Sequence, residues 1–152
     1  MRVAGFRVSA AECRHPGGAL GFRIQYGPHA LVYSPDHAIG DPAVDSELVA
    51  LARGADLWLL NGMFTPDERL RYRGWDQSSH VEAVQLALEA EVKTAILFHH
   101  DPWKDDKILD RMGFEAKEVA VDTGMEVLMA RDGMVVEVGE REGGRYMEDS
   151  RR

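Results

Sequence analysis

The sequence predicts an α/β protein in which helices pack on a mixed β-sheet. Three observations carry that prediction. Short apolar runs alternate with helix-patterned segments from residue 41 onward, and strand–helix–strand order produces parallel strands. Ahead of them, two strand-like segments joined by a Gly-Pro turn form a hairpin. Near the end, Arg131-Asp132-Gly133 separates two further apolar runs and signals a second hairpin.

The elements follow in order. LGFRIQY alternates, with Leu20, Phe22, Ile24 and Tyr26 on one side and Gly21, Arg23 and Gln25 on the other, which is the pattern of a half-buried strand. After Tyr26-Gly27-Pro28, ALVY returns as its partner and ends at Ser34-Pro35-Asp36-His37. Asp41 followed by Pro42 makes a helix start, with Val44, Leu48 and Leu51 on one face and Gly54 as the stop. DLWLL, residues 56–60, is the nearly unbroken apolar run expected of a strand covered on both sides.

Residues 61–77 form a long connection with one possible turn after Thr65; connections of that length inside a domain are commonly functional. Ser79 with Glu82 forms a capping box for a helix whose stripe is Val81, Val84 and Leu88. Thr94 to Phe98 is another buried strand, and Asp101-Pro102 opens a helix running to about Met112. MEVLMA and MVVEV form the closing hairpin. Residues 1–138 read as one domain, and 139–152, GEREGGRYMEDSRR, as a flexible charged tail.

Composition narrows the function. With 152 residues, 45% hydrophobic and 29% charged, the chain is long enough for one domain with a sizeable core. A net charge of −8 opposes general affinity for a phosphate backbone, yet leaves phosphate esters open as substrates if a metal supplies the positive field. The single cysteine, Cys13, excludes an intrachain disulfide framework and suits a reducing cytoplasm. MRVAGFRVSAAE has no apolar signal-peptide core, and no run approaches the roughly 18 apolar residues of a membrane span, so a cytoplasmic protein with no membrane partner is expected.

The chemistry gathers in ILFHHDPWKDD, residues 96–106, where an apolar run ends in His99, His100 and Asp101. Polar residues just beyond the carboxyl ends of parallel strands are where ligands bind in such sheets. In extended geometry the two histidines point to opposite faces, so at most one faces a given site. Asp101 reads as a helix N-cap, Asp36 as a possible Asx-turn, and His37 as a solvated loop residue or at most a support. His80 reads as partly exposed, His15 as a turn anchor, and Asn61 as either lining the mouth or capping a turn. No Gly-rich phosphate loop, HExxH, cysteine pair or GxSxG occurs.

HPGGALGFRI, ALVYSPDHAIGD, ADLWLLNGMFTPDE, GWDQSSHVEAVQLALEAEVKTAILFHHDP and RDGMVVEV occur in an order and spacing that resemble the carboxy-terminal half of the metallo-β-lactamase fold. The resemblance is to its ribonuclease Z and phosphodiesterase-like branch and covers roughly residues 14–138. It implies half of an αββα sandwich and zinc or another divalent metal as cofactor. Asp36 matches the aspartate that bridges two metal ions, and His99 the terminal histidine ligand of the second metal. His37, His100 and Gln77 are then supporting residues.

The departures from the family pattern shape what is expected. HxHxDH, the family's main ligand cluster, is absent from the sequence, and Gln77 stands where many relatives carry the histidine of GWGHSS. The resemblance thus implies a component of a metal-dependent hydrolase acting on a phosphodiester or other ester, completed by a second subunit carrying HxHxDH. Its substrate would be a small-molecule or nucleotide ester. Two alternatives stand beside it: a non-catalytic binding or scaffold module that homodimerises, and a homodimer with a site built from Asp36, His37, His99 and His100 of each chain; the partner is then a homo-oligomer or a second subunit. Whether the chain is an enzyme stays open at this stage.

Overall fold

The structure is a computed structural model and describes residues 1–138 with the exception of Arg73, the side chains of Arg2 and Val3 also excepted. The charged tail expected at 139–152 lies outside the described residues. Seven strands form one sheet in chain order: β1 (Arg2–Val3), β2 (Phe6–Cys13), β3 (Ala19–Tyr26), β4 (His29–Ser34), β5 (Leu57–Asn61), β6 (Thr94–Phe98) and β7 (Glu126–Met129). Strands β1 to β4 form an antiparallel meander, and β4 to β7 run parallel. The parallel strands are linked through α1 (Pro42–Ala52), then α2 (Pro66–Arg71) with α3 (His80–Glu89), then α4 (Asp106–Val119). Each crossover moves one strand in the same direction, so right-handed connections lay α1, α3 and α4 side by side on one face.

That face holds the core. Val32, Trp58, Leu60, Ala95 and Leu97 meet Leu48, Val84 and Ala87 from the helices. The Trp58 indole N–H donates to Ser34 Oγ at 2.8 Å, which satisfies its one polar atom inside the core. Gly21 makes room for α1 against the sheet: a β-carbon there would sit 2.9 Å from Leu48 Cδ2. The opposite face carries no helix among the described residues. Register pairs Phe22 with Tyr33, Ile24 with Leu31, Tyr33 with Leu59 and Leu59 with Ile96, so these residues share the uncovered side. Leu20, Phe22, Ile24, Tyr26 and Tyr33 are all exposed there.

Several expectations change. The reading placed no strand before Leu20, yet β2 pairs with β3 along its whole length, from Arg7 opposite Gln25 to Cys13 opposite Ala19. The cap at Asp101 is corrected. Its carboxylate accepts the Trp103 N–H at 3.0 Å and its carbonyl the Lys104 N–H at 2.9 Å, so Pro102 sits inside a β-turn. Asp105 caps α4 instead by accepting from Ile108 N–H at 2.9 Å, and the helix continues past Met112 to Val119.

At the far end the Arg131 to Met134 turn forms, but residues 134–138 make no strand and Val135 is exposed. The long connection after β5 is better ordered than a bare loop. Thr65 and Glu68 form a capping box for α2, and Phe64 is pinned to Ser78 and His80 by backbone hydrogen bonds. Among the described residues no helix is long and apolar enough to cross a membrane.

Candidate metal-ligand pair at the strand ends

Three parallel strands deliver the candidate residues to one rim. Strand β4 ends at Ser34 and leads into Pro35-Asp36, β5 ends on Asn61, and β6 ends at Phe98 before His99. Ser34 pairs with Leu60 and Asn61 with Phe98, so these exits lie next to one another. His99 then leaves extended geometry, with φ of 61°. This left-handed conformation costs a non-glycine residue on the order of 1 kcal/mol and appears where surrounding contacts enforce it. Asp76, just before Gln77, is also left-handed, with φ of 44°.

The turn brings His99 Nδ1 to 3.1 Å from Asp36 Oδ1 and 3.1 Å from the Pro35 carbonyl. Asn61 Nδ2 lies 3.1 Å from the same nitrogen, 3.0 Å from the Pro35 carbonyl and against Gln77 Oε1. Asp36 and His99 are partly open, with side chains 32% and 38% exposed, whereas Asn61 and Gln77 are buried. The site is therefore a carboxylate–imidazole pair at the mouth, seated on two buried carboxamides.

The other candidates are placed elsewhere. His37 is not solvated: it is buried, its Nδ1 accepts the Arg14 N–H at 3.1 Å, and its Nε2–H donates to Asp45 Oδ1 at 2.8 Å. Its ring thus points to α1, and it reaches Asp36 only through the backbone. Burial pushes its pKa down despite Asp45, which suits the neutral tautomer that this bonding requires. His100 turns the other way and donates from Nε2 to the Ala130 carbonyl at 3.2 Å, and burial lowers its pKa too.

His80 is fully buried rather than half-exposed, with Nδ1 3.1 Å from the Phe64 carbonyl and Nε2 3.1 Å from Glu115 Oε2. His15 anchors the turn at the end of β2, where its carbonyl accepts the Gly18 N–H at 2.9 Å. A groove of about 920 Å³ opens beside that turn, lined by Arg14, His15, Leu20, Val44 and Asp76 among others; neither Asp36 nor His99 lines it.

The sequence offered Asn61 as either a mouth residue or a turn cap; it does both, its Oδ1 accepting the Met63 N–H at 3.1 Å, and it touches every other member of the cluster except Asp36, which the sequence did not reveal. The available signal was its position, the first polar residue after DLWLL on the strand between the two candidate ligands.

Residues 1–100 match the family model described as the beta-lactamase superfamily domain. The chain belongs to that superfamily. A search of curated proteins by sequence finds no match. Among solved structures, the chain is similar to the metallo-beta-lactamase fold protein YhfI from Bacillus subtilis, at 23% identity and a TM-score of 0.70, over 86% of this chain and 49% of that one. The human tRNase Z, short form, superposes with a TM-score of 0.70 at 18% identity, over 92% of this chain and 45% of that one. The Zn(2+)-bound PqqB from Methylobacterium extorquens gives 0.62 at 16% identity, over 89% and 51%. The chain spans about half the length of these structures. Its single sheet with one helical layer is half of their sandwich fold.

A metal implied by this superfamily can be tested against the donors present. A carboxylate oxygen and an imidazole nitrogen suit zinc or another divalent ion in kind. In number they fall short: a catalytic zinc takes three protein ligands plus water, and among the described residues no group of three or more His, Cys, Asp or Glu is placed to hold an ion. Asp36 and His99 alone do not complete a metal site.

Proposed function

We propose that this chain contributes Asp36 and His99 to the centre of a metal-dependent hydrolase whose remaining ligands, an HxHxDH cluster, come from a partner polypeptide. The observation that supports the reading most is the meeting of these two side chains at 3.1 Å on the rim of a sheet whose apolar face carries no helix among the described residues. A cytoplasmic protein with residues 1–138 as a half domain fits this reading. The bond cleaved is a phosphodiester or other ester, in a small-molecule or nucleotide substrate. Metal ions in such a centre supply an activated water and stabilise charge on the reacting oxygens. The tagged chain, purified from its own cells, should bring down a polypeptide carrying HxHxDH, with about two metal ions per heterodimer. A pure, active, metal-free chain would end this reading.

A second reading is favoured by the two-donor set and by Gln77 at the position of a histidine in many relatives. In it the chain is a non-catalytic module that pairs with a second copy through the uncovered face. It requires a stable homodimer without stoichiometric metal, and Asp36→Ala should then leave stability unchanged.

A further inference from the structure

We propose that Asn61 and Gln77 act as a carboxamide clamp that determines which nitrogen of His99 faces outward. The Asn61 side chain has a fixed orientation, because its Oδ1 accepts the Met63 N–H at 3.1 Å. Its Nδ2 therefore faces three neighbours: the Pro35 carbonyl at 3.0 Å, Gln77 Oε1 in close contact, and His99 Nδ1 at 3.1 Å. A carboxamide nitrogen carries two hydrogens. Neither carbonyl oxygen has a proton of its own, so the two oxygens take both.

His99 Nδ1 also lies 3.1 Å from the Pro35 carbonyl and 3.1 Å from Asp36 Oδ1. Without a proton, its lone pair would confront two acceptors. With one, it donates to that pair, and both acceptors are served. The neutral ring then keeps its lone pair on Nε2, at the edge away from buried Asn61. An outward lone pair is what a cation or a donor at the mouth can use, and outer partners commonly set a ligand histidine in this way. Asn61 and Gln77 are positioning residues: Asn61, braced by Gln77, holds the Pro35 carbonyl where His99 donates to it, and Asp36 follows Pro35 in the chain. Neither carboxamide titrates near neutral pH, so the clamp itself does not switch with pH.

The inference rests on Asp36 and His99 being the functional pair, yet its test needs neither metal nor partner. Long-range proton–nitrogen NMR spectra of the histidine-labelled full chain distinguish the two neutral tautomers, with His99→Gln assigning the signal. The native chain should show His99 with the proton on Nδ1, and Gln77→Glu, which keeps the acceptor, should retain it. Gln77→Met removes the acceptor that takes one Asn61 hydrogen, frees that hydrogen for the His99 Nδ1 lone pair, and should move His99 to the Nε2–H form or to a mixture. A native His99 protonated on Nε2 overturns the clamp, as does a Gln77→Met chain with an unchanged spectrum. Should Gln77→Met fail to fold, the native spectrum decides alone. Failure to find a partner would count against the hydrolase reading and leave the tautomer result standing.

Discussion

The place of Asp36 and His99 just past two apolar strands was legible in the sequence, whereas their assignment as metal ligands came from the family resemblance. Periodicity alone then brings the ends of parallel strands to one rim. Replacing both by Ala should lower the zinc retained after dialysis, read by elemental analysis; unchanged zinc would remove them from the centre. Burial of the other histidines was not legible, because it depends on acceptors supplied from distant segments. His37 needs Asp45 and the Arg14 amide, and His80 needs Glu115. The depressed pKa values of His37 and His100 set a pH dependence. Folded, both stay neutral below the usual 6.5, while the unfolded chain takes up protons there. Stability should therefore fall as pH drops below about 6.5, by at most ~1.4 kcal/mol per pH unit for each group. Denaturant melts between neutral and mildly acid pH measure it, and a flat profile would contradict the burial. Cys13 behaves oppositely: burial and then nearby Asp36 raise its thiol from 9.0 to about 11. It should resist alkylation in the native state at mildly alkaline pH and react only on unfolding.

Helices α1 and α3, each announced by a capping residue, and strands β3 to β7, announced by their apolar runs, were read well; α2, the start of α4 and β2 were not. Ser79 caps α3 as the sequence indicated, accepting from Glu82 N–H at 3.2 Å. Replacing Ser79 by Ala should cost about 1 kcal/mol in thermal or denaturant unfolding. The start of α4 misled because Asp101-Pro102 and Asp105-Asp106 both look like starts, and proline at the second position suits a β-turn as well as a first helical turn. The two positions separate by experiment: Asp105→Ala should destabilise by about 1 kcal/mol through loss of the cap, whereas Asp101→Ala should leave helix content by circular dichroism unchanged. Strand β2 escaped notice because FRVSAAEC has only a weak alternation, and its place comes from pairing with β3 rather than from its own pattern. The start of β5 is held by a contact no local rule reveals: Asp56 accepts from the Ala30 N–H at 2.8 Å and from Lys93 Nζ at 2.7 Å. Burial alone would raise the Asp56 pKa, but these partners outweigh it and lower the value.

At the scale of the whole molecule, the fold sets a problem that the described residues do not solve by themselves. One sheet face is sealed by three helices, and the other presents Phe22, Ile24, Tyr26 and Tyr33 to solvent. Contiguous apolar surface of this kind marks an interaction face. Introducing Lys at Phe22 and Ile24 should weaken whatever association the protein makes, seen as a lower native mass, while leaving the helical core intact. The sequence showed the alternation that makes this face, but an apolar side of a strand looks the same whether covered or bare. The placement of α1, α3 and α4 on the other side distinguishes them among the described residues. The most direct test of the central claim is native mass spectrometry of the assembly purified from its own cells, with metal content, for the natural chain and for Asp36→Ala/His99→Ala. The expected result is a heteromeric assembly with bound divalent metal that the double variant loses; a metal-free assembly, or one whose metal survives both substitutions, would contradict it.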